Sequence, residues 1–163
     1  EVDCNSVPIA PTLTSTDNCG TAIVTFDEVR IDVDVYAGCP NGYRLWRTWT
    51  ATDCAGNTST ASQTITIYDE TDPYFNEDLP QDVTEECDAV TPAATLTASD
   101  TCDMDIEVMF NESTTPGDCP GRYTIVRTWS ASDCAGNSIE HVQVIHVTDT
   151  TPPVLVGDLP DNI

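Results

Sequence analysis

Cysteine and carboxylate are the side chains this sequence offers for chemistry. Cysteines stand at Cys4, Cys19, Cys39 and Cys54, and again at Cys87, Cys102, Cys119 and Cys134. Structural zinc sites take cysteines in close pairs separated by about two to four residues. No such pair occurs, the shortest gap being fifteen. An even number of widely spaced cysteines instead predicts disulfides and an oxidising compartment. The acids number 28 against five arginines and no lysine, a net charge of −23. That field repels nucleic acid and anionic membranes, so neither is expected as a partner. The acids recur beside Gly, Asn and Pro, where oxygen ligands could hold a hard cation such as Ca2+. The same residues are also good turn formers.

Other chemistry finds little support. His141 and His146 lie on opposite faces of one predicted strand and have no counterparts earlier in the chain. No serine has a histidine–acid partner by motif. The acids repeat along the chain as structural features do, so no enzyme is expected. Two glycosylation sequons occur, at Asn57-Thr58-Ser59 and Asn111-Glu112-Ser113. They make Asn57 and Asn111 candidate glycan sites. No apolar run approaches the roughly 18 residues of a membrane span.

The chain reads itself twice. Cysteine equivalents differ by 83 positions in the first half of the repeat (4 to 87, 19 to 102) and by 80 in the second (39 to 119, 54 to 134). Arg47-Thr48-Trp49-Thr50-Ala51-Thr52-Asp53-Cys54-Ala55-Gly56-Asn57 returns as Arg127-Thr128-Trp129-Ser130-Ala131-Ser132-Asp133-Cys134-Ala135-Gly136-Asn137. Leu79-Pro80 returns as Leu159-Pro160, and a new Glu1 after Ile163 would continue the pattern in frame. Such self-similarity marks a repeat architecture. The expected organisation is repeat 1 over 1–69 with a truncated first strand, repeat 2 over 70–149, and a linker with the first strand of a following repeat over 150–163. The expected partners are copies of the same unit along a linear array, in one polypeptide or by strand exchange between chains.

The elements that must position these residues are strands. Thr, Val, Ile, Tyr and Trp alternate between turn residues. The pattern predicts strands near 9–15, 22–28, 43–52 and 59–68, with a further one at 30–36. In repeat 2 it predicts strands near 82–87, 93–98, 105–111, 122–131 and 138–148. Residues 154–163 read as the start of another repeat. Turns every 8–12 residues indicate two tandem immunoglobulin-like antiparallel β-sandwiches, all-β and disulfide-stapled. Tyr43, Leu45, Arg47, Trp49 and Ala51 share one face of their strand, as do Tyr123, Ile125, Arg127, Trp129 and Ala131. The tryptophans are expected in the core, with Glu28 and Glu112 as partners for Arg47 and Arg127.

Strand length constrains the disulfides. The strand between Cys39 and Cys54 spans roughly 30 Å, whereas disulfide Cα atoms lie about 6 Å apart. Strands 9–15 and 43–52 are expected to run the same way, so their starts share one pole. The expected pairs are Cys4–Cys39 and Cys19–Cys54, then Cys87–Cys119 and Cys102–Cys134. At the pole where repeat 2 begins, Asp69, Asp72, Asp100, Asp103, Asp133 and Asn137 are expected to converge and hold calcium. In repeat 1 the equivalent ligands Asp17, Asp53 and Asn57 would be completed by Asp149 of a preceding period.

The phrase aromatic-x-Ala-x-Asp-x-x-Gly-Asn, at 49–57 and 129–137, resembles hyalin (HYR) repeats and related immunoglobulin-like repeats of large bacterial secreted or cell-surface proteins. The Cys-Pro phrases at 39–40 and 119–120 resemble a disulfide-rich bacterial version. The resemblance implies an extracellular structural repeat of a fibre or surface stalk, and the two sequons add the expectation of a glycoprotein. It also leaves room for an adhesin that binds a glycan through the long loop 29–42, and for a non-catalytic appendage of a secreted enzyme.

Overall fold

Alternation of branched or aromatic residues with polar ones gives each long strand one face for a core and one for water. The computed structural model describes residues 1–32, 39, 42–104 and 106–157. Its strands are β1 (Val2–Asp3), β2 (Ile23–Ile31), β3 (Tyr43–Thr52), β4 (Thr58–Tyr68), β5 (Tyr74–Phe75), β6 (Val83–Glu86), β7 (Ala98–Ser99), β8 (Val108–Pro116), β9 (Tyr123–Ser132) and β10 (Ser138–Thr148). A single 3-10 turn at Cys4–Ser6 is the one helical element among the described residues. The chain is all-β, two tandem β-sandwich repeats. One four-stranded sheet has the order β1-β4-β3-β2, the other β6-β10-β9-β8, and β5 pairs with β7 in a small ribbon.

The chain divides into two compact units. Unit 1 comprises Glu1–Glu77, Leu96–Met109 and Ser130–Glu140; unit 2 comprises Asp78–Thr95, Phe110–Trp129 and the chain from His141 on. In unit 1, Leu45, Ile65 and Ile67 form a core on which Val2, Cys4, Val7 and Tyr43 pack. In unit 2, Ile125, Ile145 and Val147 do the same with Val90 and Tyr123. Each such side chain contributes about 1.5–3 kcal/mol on full burial.

Two expectations about strands change. First, β1 pairs parallel to β4 (Val2 with Ile67) and β6 parallel to β10 (Val83 with Ile145). The sheets are therefore mixed at one edge, while β2, β3 and β4 are antiparallel. Second, residues 9–15 form no strand, and of 93–98 only Ala98 joins one, in β7. Pro8, Pro11 and Pro92 cannot donate to a ladder. Side chains of the facing sheet satisfy these segments instead. Arg47 Nη2 donates to Pro8 O (2.7 Å) and Trp49 Nε1 to Pro11 O (3.1 Å). In repeat 2, Arg127 Nη2 donates to Thr91 O (2.8 Å) and Trp129 Nε1 to Ala94 O (3.1 Å). The irregular segment thus crosses the buried tryptophan face as the second layer. The expected strand at 30–36 continues β2 only to Ile31, and 33–36 lie outside the described residues, as does most of the tip of loop 29–42. Residues 154–157 form no strand.

Candidate metal and disulfide junction

β4 ends at Tyr68 and delivers Asp69 into unit 1, where it is 2% exposed. Its Oδ1 accepts from Thr71 N (3.0 Å), an Asx turn that ends the strand. Its Oδ2 is buried without a partner. Asp100 follows β7; its Oδ1 accepts from Cys102 N (2.6 Å) and Asp103 N (3.1 Å), and its Oδ2 is likewise buried and unpartnered. Asp133 follows β9 and caps the turn at 133–137. Its Oδ1 accepts from Gly136 N (2.6 Å) and Asn137 N (2.8 Å), its Oδ2 from Asn137 Nδ2 (2.7 Å). Asn137 Nδ2 also reaches Asp69 O at 3.3 Å. Gly136 permits the turn by adopting φ +100°.

Burial drives the Asp69 carboxyl above the usual range, and repulsion from Asp100, Asp133 and Asp3 adds to it, against the lowering effect of the Thr71 amide. Carboxylate oxygens of Asp69 and Asp100 lie within 4.8 Å of each other and of the Cys102 sulfur. Cys102 is disulfide-bonded, so the ligands available to an ion there are hard oxygens. Two buried carboxylate oxygens without donors are costly to leave unpaired, and they are hard oxygens of the kind that calcium takes among its roughly six to eight ligands. The donor set therefore fits Ca2+.

Of the other expected ligands, Asp103 turns its Oδ2 to Cys134 N (3.0 Å), and Asp72 is exposed. Asp3, absent from the expected set, belongs to the cluster. Its Oδ2 accepts from Glu70 N (3.1 Å), and its charge acts on Asp69. In repeat 1, Asp53 accepts from Ala55 N, Asn57 N and Asn57 Nδ2 at 2.7–2.9 Å. These bonds, the Asn57 side chain first, hold its pKa below the usual range. Asp17 Oδ2 accepts from Cys19 N (3.0 Å). Asp149 repeats the Asx turn of Asp69 with Thr151 N (3.0 Å), but is exposed. Of the sequon residues, Asn57 is engaged with Asp53, whereas Asn111 lies exposed in β8.

The disulfides correct the expected map. Cys4 bonds Cys102 and Cys39 bonds Cys134, with Cα separations of 5.9 and 5.2 Å, all within unit 1. Cys4–Cys39 and Cys102–Cys134 therefore do not form. Cys19, Cys54, Cys87 and Cys119 are exposed thiols, so Cys19–Cys54 and Cys87–Cys119 are not formed either. The strand-length argument rightly kept the two cysteines flanking one strand apart. It assumed that each repeat closes its own bonds, whereas the bonds run from repeat 1 to repeat 2. The Cys87 thiol is pushed up by desolvation and then by Asp149, Asp88 and Glu86.

The family model for the HYR-like domain with 4 cysteines matches twice, over residues 1–67 and 75–147. The chain belongs to this HYR-like family. Hyalin of Lytechinus variegatus is 32% identical over 152 residues, 87% of this chain. The chain spans 27% of that relative's length. The two family matches coincide with the duplicated side-chain bonds of Arg47/Arg127, Trp49/Trp129 and Asp53/Asp133 described above. Among the described residues no helix is long and apolar enough to cross a membrane.

Proposed function

We propose that this pair of HYR-like repeats is a structural segment of an extracellular fibre or cell-surface stalk, stiffened by disulfides and by calcium between successive repeats. The observation that carries the reading is the junction: two disulfides from repeat 1 to repeat 2 beside the buried, donor-starved oxygens of Asp69 and Asp100. Asp69, Asp100 and Asp133 would hold the ion, with Asp3 adding charge to the site. Bound there, calcium supplies positive charge that offsets their mutual repulsion. Asn137 Nδ2 donates to Asp133 Oδ2 and to the carbonyl of Asp69, which ties these two residues together.

Support for a linear array comes from the seat of the first strand. In repeat 2, Tyr74 and Phe75 pair with Ser99 and Ala98, and Asn76 N donates to Thr97 O (3.0 Å). The equivalents of 97–99 in repeat 1 are Thr14, Ser15 and Thr16. They line an open groove of about 400 Å³ beside Trp49 and Ala61. The equivalents of 74–76 are Val154, Leu155 and Val156, 84–94% exposed. An apolar segment lacking a groove and a groove lacking its segment match head to tail, as in strand addition. In this reading the partners are further copies of the unit in single file, the role is non-catalytic, and glycans sit on the exposed Asn111. The bacterial surface setting that the Cys-Pro phrases resemble belongs to the same proposal.

The test is thermal unfolding with calcium and with EDTA, together with electron microscopy of the array. Calcium at 100 times its Kd adds about 2.7 kcal/mol. A melting curve that ignores EDTA would remove the metal, and globular rather than linear particles would remove the fibre.

A further inference from the structure

We propose that Cys87 and Cys119 form disulfides with Cys19 and Cys54 of the following copy of this repeat pair, so that every repeat-to-repeat junction carries the two bonds seen at the first. The inference rests on the array reading above and names its covalent chemistry.

The bonds observed follow a rule. Cys4 and Cys39 are the first and third cysteines of repeat 1; Cys102 and Cys134 are the second and fourth of repeat 2. Shifted by one repeat, the rule assigns Cys87 and Cys119 to the second and fourth cysteines of the next repeat. In a following copy those are Cys19 and Cys54. The four thiols left unbonded and exposed are this set and no other.

The backbone around three of them, Cys87, Cys19 and Cys54, is already built to the pattern of the bonded ones. Asp3 Oδ2 receives Glu70 N beside Cys4, and Glu86 Oε2 receives Thr150 N (3.2 Å) beside Cys87. Asp149 repeats the turn of Asp69 with Thr151 N. On the receiving side, Asp17 holds Cys19 N as Asp100 holds Cys102 N. The Asp53–Asn57 cap beside Cys54 copies the Asp133–Asn137 cap beside Cys134. Cys87, Cys19 and Cys54 therefore sit in frames that, one repeat away, bring sulfurs to bonding distance, and Cys119 takes the place of Cys39 by its position in the repeat. Each new bond joins two thiol sulfurs, releasing two protons and two electrons. A small-molecule disulfide such as oxidised glutathione takes these up and becomes two thiols.

The test joins two copies in frame, Ile163 to Glu1, with Cys19→Ser and Cys54→Ser in the first copy and Cys87→Ser and Cys119→Ser in the second. The four junction thiols stay, and the Cys4–Cys102 and Cys39–Cys134 peptides of each copy report correct folding. After refolding with oxidised glutathione, the junction thiols open to alkylation fall from four to none. Unreduced digests then contain Cys87 joined to Cys19 and Cys119 joined to Cys54. Four alkylatable thiols, or Cys87 joined to Cys119, would overturn the proposal. Electron microscopy of the same tandem separates the two readings. A linear particle with free thiols defeats the cross-links but keeps the array; a compact globule with free thiols defeats both. Should the substituted tandem not fold, the unsubstituted chain oxidised from mixed isotope-labelled pools decides instead. Cys87–Cys19 peptides of mixed label support the proposal, and their absence overturns it.

Discussion

A carboxyl whose charge the fold resists is the residue that defines the junction. Burial and neighbouring acids raise the pKa of Asp69, so its protonated form is favoured on folding. The resulting stabilisation is present below the usual aspartate pKa and is lost as pH rises through the raised one. Without metal, Asp69 therefore burdens the folded state at pH 7. Asp69→Asn should raise the melting temperature in EDTA and abolish the increase that calcium gives the parent protein. Two melting curves per protein check this, and an Asp69→Asn protein that melts lower in EDTA would contradict it. Asp53 has the opposite sign. Its depressed pKa means that its contribution holds above the usual aspartate pKa and fades as pH falls through the lower folded value. Arg127 makes a third residue-scale case. Its side chain is 5% exposed, and Glu112, 40% exposed, accepts from Nε at 2.8 Å. Glu112→Gln should cost about 1–2 kcal/mol in urea unfolding, less than for a fully buried pair because water screens the glutamate.

Turns and sheet edges set what each element tolerates. Gly136 has φ +100°, and a Cβ at that position would meet nothing within 4 Å, so Gly136→Ala should cost about 1 kcal/mol through backbone strain alone. Gly121 is the contrasting case: a Cβ there would stand 2.8 Å from Asp149 Cβ. Gly121→Ala should therefore shift the loop as well as destabilise it, and amide shifts at Asp149 in NMR spectra would report the displacement. β3 and β9 were legible in sequence because five alternating residues of each face the core. The layer at 9–15 was not. Its alternation is that of a strand, but prolines deny it a ladder, and long-range bonds from Arg47 and Trp49 hold it.

At the scale of the molecule, the disulfides close long loops, with sequence separations of 98 and 95. Loop-closure entropy for roughly 100 residues is about 4–5 kcal/mol. Cys4→Ser with Cys102→Ser should lower the urea midpoint substantially, while unpaired Cys19→Ser should leave the isolated chain near its parent. The two bonds constrain overlapping loops, so removing both costs less than twice one.

The duplication, the long strands β3, β4, β9 and β10, the capped Asp-Cys-Ala-Gly-Asn turns, the Arg47–Glu28 and Arg127–Glu112 pairs and the family itself follow from sequence. Each depends on residues near in sequence or on a period that repetition displays. The sulfur partners and the inclusion of Asp3 in the acidic nest were decided by tertiary structure. In a perfect repeat, closing a bond within a unit and closing it to the next unit carry the same sequence signature. Only the apposition of Cys4 with Cys102 and of Cys39 with Cys134, at Cα separations of 5.9 and 5.2 Å, distinguishes them.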